Sequence, residues 1–146
     1  MNMHGTNKSL IVIGDSDGLI AILHEEDKHH IRAKEIIGKL LQNEGQVVFP
    51  LTTIVETVTT LKRKLNKPAL AAHVVNKITR GTLVIENTDT DLLNSALKIF
   101  DPKGSKQNTL FDAIVAALAK HKKTNIIFSF DGWYRKLGFK LAVDLY

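Results

Sequence analysis

The sequence contains no cysteine, which excludes disulfide bonds, zinc–thiolate sites and thiol nucleophiles. It has no apolar run near the roughly 20 residues that a membrane-spanning helix needs. It also lacks a glycine-rich phosphate loop and a Gly-x-Ser-x-Gly elbow, which argues against nucleotide-driven and serine-hydrolase chemistry. We therefore expect a cytoplasmic protein, with no membrane partner, whose chemistry uses other side chains.

The composition is that of one globular domain. The chain has 146 residues, of which 44% are hydrophobic and 24% charged, a balance typical of soluble globular proteins. We predict a flexible leader at residues 1–8 and a single domain at residues 9–146. Twenty Lys and Arg against fifteen Asp and Glu give a net charge of +5, which favours a polyanionic partner such as RNA or DNA.

Short apolar runs alternate with amphipathic segments along the chain. This alternation predicts an α/β fold, in which a central parallel sheet of about five strands carries helices on both faces. The runs are continuously apolar and do not alternate between apolar and polar residues, as expected for strands buried on both faces. The predicted strands cover 10–13, 47–49, 83–85, 126–128 and 141–143, and the predicted helices cover 31–42, 54–65, 69–78, 92–100 and 111–120.

Four acidic residues fall at the ends of these elements. Asp15 and Asp131 follow the first and fourth predicted strands, and ligands bind beyond the carboxyl ends of parallel strands. Glu56 and Asp112 are predicted in the first turns of two helices, where a capping box with the residue three positions earlier is the alternative explanation. Ordinary capping also explains Asp15 and Asp131 singly. Capping does not explain why four acids should share one sheet edge, so we predict that they form one site.

Four carboxylates in one site repel each other and raise each other's pKa unless a cation neutralises them. All-oxygen ligands favour Mg²⁺ or Mn²⁺ over zinc or copper. Such an ion makes bound water nucleophilic and offsets charge on a phosphate. The acids therefore predict metal-dependent hydrolysis of a phosphodiester.

The motifs around these acids resemble the PIN domain family, and within it the VapC-type toxin ribonucleases of toxin–antitoxin pairs. The resembling segments are Ile11-Val12-Ile13-Gly14-Asp15, Leu51-Thr52-Thr53-Ile54-Val55-Glu56, Phe111-Asp112-Ala113-Ile114 and Ser129-Phe130-Asp131. The resemblance implies a PIN-like three-layer sandwich with Asp15, Glu56, Asp112 and Asp131 as the catalytic metal ligands. It also implies an endoribonuclease that cuts single-stranded or loop RNA, a homodimer, and inhibition by a small antitoxin.

Five further residues are accessory candidates. Asp17 stands where PIN relatives often carry Ser or Asn; we interpret it as a cap of the first helix, with a fifth metal ligand as the alternative. Ser129 is interpreted as a turn hydroxyl, with orientation of a metal-bound water as the alternative. Trp133, Arg135 and Lys136 follow Asp131 and are candidates for RNA binding, Trp133 by stacking on a base. A position in the core or at its rim is the preferred interpretation for Trp133.

Three other functions compete with the toxin interpretation. The first is a housekeeping PIN nuclease in RNA processing. The second is a haloacid-dehalogenase-like phosphatase, because Asp15-Ser16-Asp17-Gly18 after an apolar strand resembles the nucleophile motif of that family, with Asp15 as nucleophile and Asp17 as acid. The third is a binding module that keeps the fold without the activity.

Overall fold

A five-stranded parallel sheet forms the centre of the protein, in the computed structural model that describes residues 10–146. The predicted leader lies outside these residues. The strand order is β3-β2-β1-β4-β5, and every neighbouring pair is parallel. The α/β prediction is therefore confirmed. The strands are β1 Ile11–Gly14, β2 Gln46–Pro50, β3 Val84–Glu86, β4 Ile126–Phe128 and β5 Lys140–Leu141.

Helices connect the strands. None of them, within the part of the chain that the structure describes, is long and apolar enough to cross a membrane. A π-helical turn at Thr60–Lys64 follows the third helix, and a 3-10 turn at Ala142–Asp144 follows β5. The helices are α1 Ser16–Leu23, α2 His30–Gln42, α3 Leu51–Thr59, α4 Pro68–Thr79, α5 Thr90–Leu97, α6 Leu110–His121 and α7 Trp133–Lys136.

The sheet separates two main hydrophobic clusters because successive strand residues point to opposite faces. Ile13 and Ile127 join one cluster with the buried residues of α6, whereas Val12 and Phe128 join the other with buried residues of α1 and α2. Residues 113–119 of α6 are all buried. Four of these seven residues are alanines, which favour a helix and let it approach its neighbours closely. This layered packing confirms the predicted sandwich of helices, sheet and helices.

Two predicted elements have different limits in the structure. The third helix begins at Leu51, three residues before the predicted start, because Pro50 adopts an extended conformation directly before it and its fixed φ suits a helix entrance. Glu56 therefore lies in the second helical turn, not the first. The last strand is shorter than predicted, since the chain turns into the 3-10 helix at Ala142.

Two glycines allow the elements around the end of β1 to approach closely. A Cβ at Gly14 would lie 2.2 Å from the Phe49 ring, and a Cβ at Gly18 would lie 2.5 Å from the Phe128 ring and 2.8 Å from its carbonyl oxygen. The backbone oxygen cannot rotate away as a side chain can. Gly18 therefore sets the distance between the start of α1 and the end of β4.

Gly18→Ala is expected to destabilise the fold by roughly 1–3 kcal/mol, the usual cost of overpacking. The matched control is Gly38→Ala in α2, because no atom of residues 10–146 lies within 4 Å of a Cβ at Gly38. That change is expected to stabilise by about 0.5–1 kcal/mol, because alanine is the better helix former. Urea unfolding measures both values. Equal effects of the two substitutions would contradict the close approach at Gly18.

Candidate active site

Asp15 lies at the centre of the candidate site, directly after β1. It is 4% exposed, although it carries a carboxyl group. Its Oδ1 accepts a 2.7 Å hydrogen bond from the Ser16 amide, which makes Asp15 the N-cap of α1. Its Oδ2 accepts a 2.6 Å hydrogen bond from the Tyr134 hydroxyl. Burial raises the pKa of Asp15 well above its usual range, and the charges of Asp17 and Asp112 raise it further.

Asp17 does not cap α1, which corrects the preferred sequence interpretation. Asp15 takes the cap because it directly precedes the first helical residue. The Asp17 Oδ2 accepts hydrogen bonds from the Ser129 hydroxyl at 3.0 Å and the Phe130 amide at 2.8 Å, and its Oδ1 accepts from the Gly18 amide. Asp17 therefore ties the first turn of α1 to the segment that follows β4. Burial raises its pKa against the opposing effect of these three donors.

Ser129 and Asp131 extend this hydrogen-bond network through the segment after β4. The Ser129 hydroxyl donates to Asp17 and accepts a 3.0 Å hydrogen bond from the Asp131 amide, so it is a satisfied turn hydroxyl. The Asp131 Oδ1 accepts a 2.9 Å hydrogen bond from the Trp133 amide at the start of α7. Asp131 thus combines a place beyond the end of β4 with a local hydrogen bond to the next helix.

Asp112 and Glu56 differ in their local hydrogen bonds. The Asp112 Oδ2 accepts a 2.9 Å hydrogen bond from the Thr109 amide, in the capping box that its spacing predicts. Burial raises the pKa of Asp112 to about 6, with contributions from the charges of Glu56 and Asp131. The alternative explanation of Glu56, a capping box with Thr53, does not hold, since α3 begins at Leu51 with Pro50 as its cap.

Glu56 carries a buried carboxylate oxygen whose hydrogen-bonding capacity is unused. Its Oε1 is buried and has no hydrogen-bond partner within residues 10–146, and neither has the Oγ1 of Thr52, one turn earlier on the same helix. Burial raises the pKa of Glu56, the Ser16 side chain lowers it by hydrogen bonding, and the charge of Asp17 raises it. The α3 face that carries Glu56 therefore directs unsatisfied oxygen atoms into a polar interior.

The structure brings the four predicted acids into one electrostatic group. Asp112 interacts with Asp15, Glu56 and Asp131. Asp17, which the sequence prediction treated as accessory, interacts with all four of them. Like charges oppose ionisation, so these charges add to the burial that raises the pKa of Asp15, Asp17, Glu56 and Asp112. Within residues 10–146, no three acidic or histidine side chains lie close enough together to ligate one metal ion.

Tyr134 is the residue of this site that the sequence prediction missed. It is fully buried in the cluster that includes α6, and its hydroxyl hydrogen-bonds Asp15 from a position 119 residues later in the chain. Burial and the nearby charge of Asp15 raise the pKa of Tyr134 above its usual value, so the phenol stays neutral and donates. No short motif signals such a pair, because the contact depends on how α7 packs against β1.

The three candidate RNA-binding residues have different environments. Trp133 is half-buried, packs against the cluster that includes α6, and stands with its ring edge to Tyr134, as the rim interpretation predicts. Arg135 is exposed but makes two hydrogen bonds of 2.9 and 2.8 Å to the Asp144 carboxylate. Lys136 is exposed. Of these side chains, Arg135 must give up an existing ion pair before it contacts another anion.

The raised pKa of Asp112 predicts how metal-free stability depends on pH. The pKa of Asp112 is about 4 in the unfolded chain and about 6 in the folded protein. At a pH between these two values, the native state holds a proton that the unfolded chain has released. This contribution to the free energy of unfolding is therefore lost as pH rises from about 4 to about 6. We expect Asp112→Asn to flatten the decline in stability between about pH 4 and about pH 6, measured by urea unfolding in chelator.

Asp144→Asn is the matched control for this measurement. The Arg135 guanidinium lowers the pKa of Asp144, so its stabilisation is present above the unfolded value and is lost only in more acidic solution. This variant should keep the wild-type decline between about pH 4 and about pH 6. A decline in Asp112→Asn as steep as in the wild type would show that burial does not shift the Asp112 titration.

The chain matches a known protein family in sequence and a solved structure in fold. The family model described as PIN domain matches residues 12–140. The fold is similar to that of VapC20 from Mycobacterium tuberculosis, described as a sarcin-ricin loop cleaving toxin, with a TM-score of 0.76. The identity is 19%, and the match covers 88% of this chain and 96% of that chain; at this identity the likeness concerns the fold alone. No curated protein matches the chain significantly.

Proposed function

The chain belongs to the PIN domain family, and from that membership we propose that it is a metal-dependent endoribonuclease that acts as the toxin of a toxin–antitoxin pair. The observation that carries this proposal is the group of Asp15, Glu56, Asp112 and Asp131 around the carboxyl ends of β1 and β4. Burial raises the pKa of Asp15 and of Asp112, and charges within the group raise them further: that of Asp112 acts on Asp15, and those of Glu56 and Asp131 act on Asp112. Mutual repulsion of this kind costs stability unless the site binds a cation.

The residues of the site suit a hard divalent cation. Their ligand atoms are carboxylate oxygens, which Mg²⁺ and Mn²⁺ prefer. The buried Glu56 Oε1 has no partner within the described residues, and a cation would satisfy it. Asp15, Glu56, Asp112 and Asp131 are proposed to hold the ion. When bound, such an ion stabilises charge on a phosphate and lowers the pKa of coordinated water.

Hydrogen bonds within the protein orient the acids of this site. The Ser16 amide and the Tyr134 hydroxyl hold Asp15 in one orientation. Asp17 uses its oxygens on Gly18, Ser129 and Phe130, so we assign it the role of holding the segment that carries Asp131, rather than that of a fifth ligand. Fixed carboxylates at the ends of rigid strands are the kind of preorganised arrangement that favours catalysis.

The arrangement of Asp17 also argues against the phosphatase interpretation. A phosphatase of that type needs Asp17 to exchange a proton with the substrate. Both oxygens of Asp17 instead accept hydrogen bonds from the fold itself. The PIN family match points the same way.

Asp15→Asn and Asp112→Asn are each expected to lower the rate of RNA cleavage at least about 100-fold, the scale on which preorganised electrostatic groups contribute. Both variants should remain folded, because asparagine keeps an oxygen that accepts the capping hydrogen bonds. Cleavage of a labelled RNA containing single-stranded loops, with added Mg²⁺ or Mn²⁺, measures the effect.

Asp89→Asn is the control, since Asp89 also caps a helix, accepting from the Leu92 amide at the start of α5, but lies outside the acidic group. It should cleave at the wild-type rate. A chelator should stop wild-type cleavage, and added metal should restore it. Wild-type rates in both site variants, or cleavage that a chelator does not affect, would refute the proposed site. Release of phosphate from a small monoester without RNA cleavage would favour the phosphatase.

The toxin role rests on the likeness of the fold to VapC20 and on the motifs of the sequence. We propose RNA with exposed loops as the substrate, contacted by Trp133, Arg135 and Lys136 at the edge of the site. We further propose a homodimer in the cytoplasm and a small antitoxin as inhibitor. The exposed apolar residues Leu51 and Val55, one turn apart on α3, are available for such protein contacts.

Induced expression of the wild-type chain in a bacterial host is expected to arrest growth, whereas Asp112→Asn should not. Colony counts after induction measure the difference. RNA cleavage in vitro without growth arrest would instead identify a housekeeping PIN nuclease. Light scattering of the purified protein tests the dimer.

A further inference from the structure

A buried hydroxyl group meets a buried carboxylate at the candidate site. Tyr134 and Asp15 are 0% and 4% exposed, and the Tyr134 hydroxyl lies 2.6 Å from the Asp15 Oδ2. The aromatic ring packs in the cluster that includes Ile13 and the buried face of α6. The two residues come from α7 and from the end of β1, so this hydrogen bond joins two elements of the site directly.

We propose that Tyr134 is a positioning residue, whose hydroxyl fixes the Asp15 carboxylate in the orientation in which it binds a divalent cation. The proposal rests on the proposed metal-dependent function. It adds a residue that touches neither metal nor substrate and that acts through Asp15 alone.

Hydrogen bonding at both Asp15 oxygens leads to this assignment. The Ser16 amide occupies one acceptor position on Oδ1, and the Tyr134 hydroxyl occupies one on Oδ2. Each carboxylate oxygen has two acceptor positions, so each retains one that points elsewhere. With donors on both oxygens, the carboxyl plane cannot rotate without breaking one of these bonds. The remaining positions therefore keep a fixed direction, as donors behind metal ligands do in known metal sites.

A purely structural role for Tyr134 would come from its ring. The ring fills space in a buried cluster, and phenylalanine fills the same space. The hydroxyl contributes one strong hydrogen bond to a charged acceptor, and its loss leaves a buried carboxylate oxygen short of one donor. Tyr134→Phe therefore separates the two roles by a single oxygen atom.

The experiment measures binding of Mn²⁺ alone, without RNA, by the electron paramagnetic resonance signal of the free ion. We expect Tyr134→Phe to bind Mn²⁺ about 10-fold more weakly than the wild type, the lower end of the range for residues behind metal ligands. The control is Tyr146→Phe, which removes the same atom from the other tyrosine of the chain, a residue that packs against the cluster on the opposite face. It should bind Mn²⁺ with the wild-type affinity.

A pair of non-natural residues at position 134 tests the donor itself and covers the case in which Tyr134→Phe does not fold. The side chain of 4-aminophenylalanine fills the position and donates, whereas 4-fluorophenylalanine fills it without a donor. We expect the amino variant to recover most of the Mn²⁺ affinity and the fluoro variant to resemble Tyr134→Phe. Equal affinity in these two variants would overturn the proposal, as would wild-type affinity in folded Tyr134→Phe.

RNA cleavage at increasing Mn²⁺ distinguishes this proposal from the proposed function. A positioning role predicts that Tyr134→Phe needs more Mn²⁺ for half-maximal cleavage and recovers at high concentration. If the wild type neither binds Mn²⁺ nor cleaves RNA, the proposed function fails and the role of Tyr134 fails with it. If the wild type does both and Tyr134→Phe matches it, the positioning role alone fails.

Discussion

Repulsion among the carboxylates of the candidate site is the constraint that the surrounding elements must overcome, since Asp15 is buried and Asp17, Glu56, Asp112 and Asp131 are partly buried. Asp15 is almost completely buried, which raises its pKa, and the charges of Asp17 and Asp112 raise that pKa further. A fold keeps such a group together only when rigid elements hold its members from several directions. Here β1 and β4 are hydrogen-bonded neighbours in the centre of the sheet, α6 is buried along most of its length, and Gly18 lets α1 approach the end of β4.

Helix capping and chemistry are often treated as competing explanations for an acidic residue, and here they coincide. Asp15 caps α1, and Asp112 completes a capping box on α6. In each case a backbone amide holds the carboxylate while leaving acceptor positions on its oxygens. The local hydrogen bonds that stabilise the helix starts thus also orient the acids of the site. Among residues 10–146, no backbone amide donates to the Glu56 carboxylate, and its buried Oε1 has no hydrogen-bond partner.

The sequence was sufficient for the parts of the fold that repeat along the chain. Alternating apolar runs and amphipathic segments predicted a parallel sheet, and strand ends predicted where Asp15 and Asp131 lie. It failed where a contact depends on packing between distant segments. The Tyr134–Asp15 hydrogen bond and the Asp17–Ser129 hydrogen bond each join residues more than 100 positions apart. The place of Glu56 in its helix was wrong because Pro50 starts the helix early.

The three hydrogen bonds to Asp17 have a consequence for which residues this position tolerates. Two backbone amides and one hydroxyl all direct hydrogen atoms toward its oxygens. Only a group with two oxygens and no hydrogen accepts from all of them; an amide side chain would turn its own NH₂ toward a donor. The geometry of the neighbouring backbone therefore selects a negative charge beside the other acids of the site, where burial already raises the pKa of a carboxyl group.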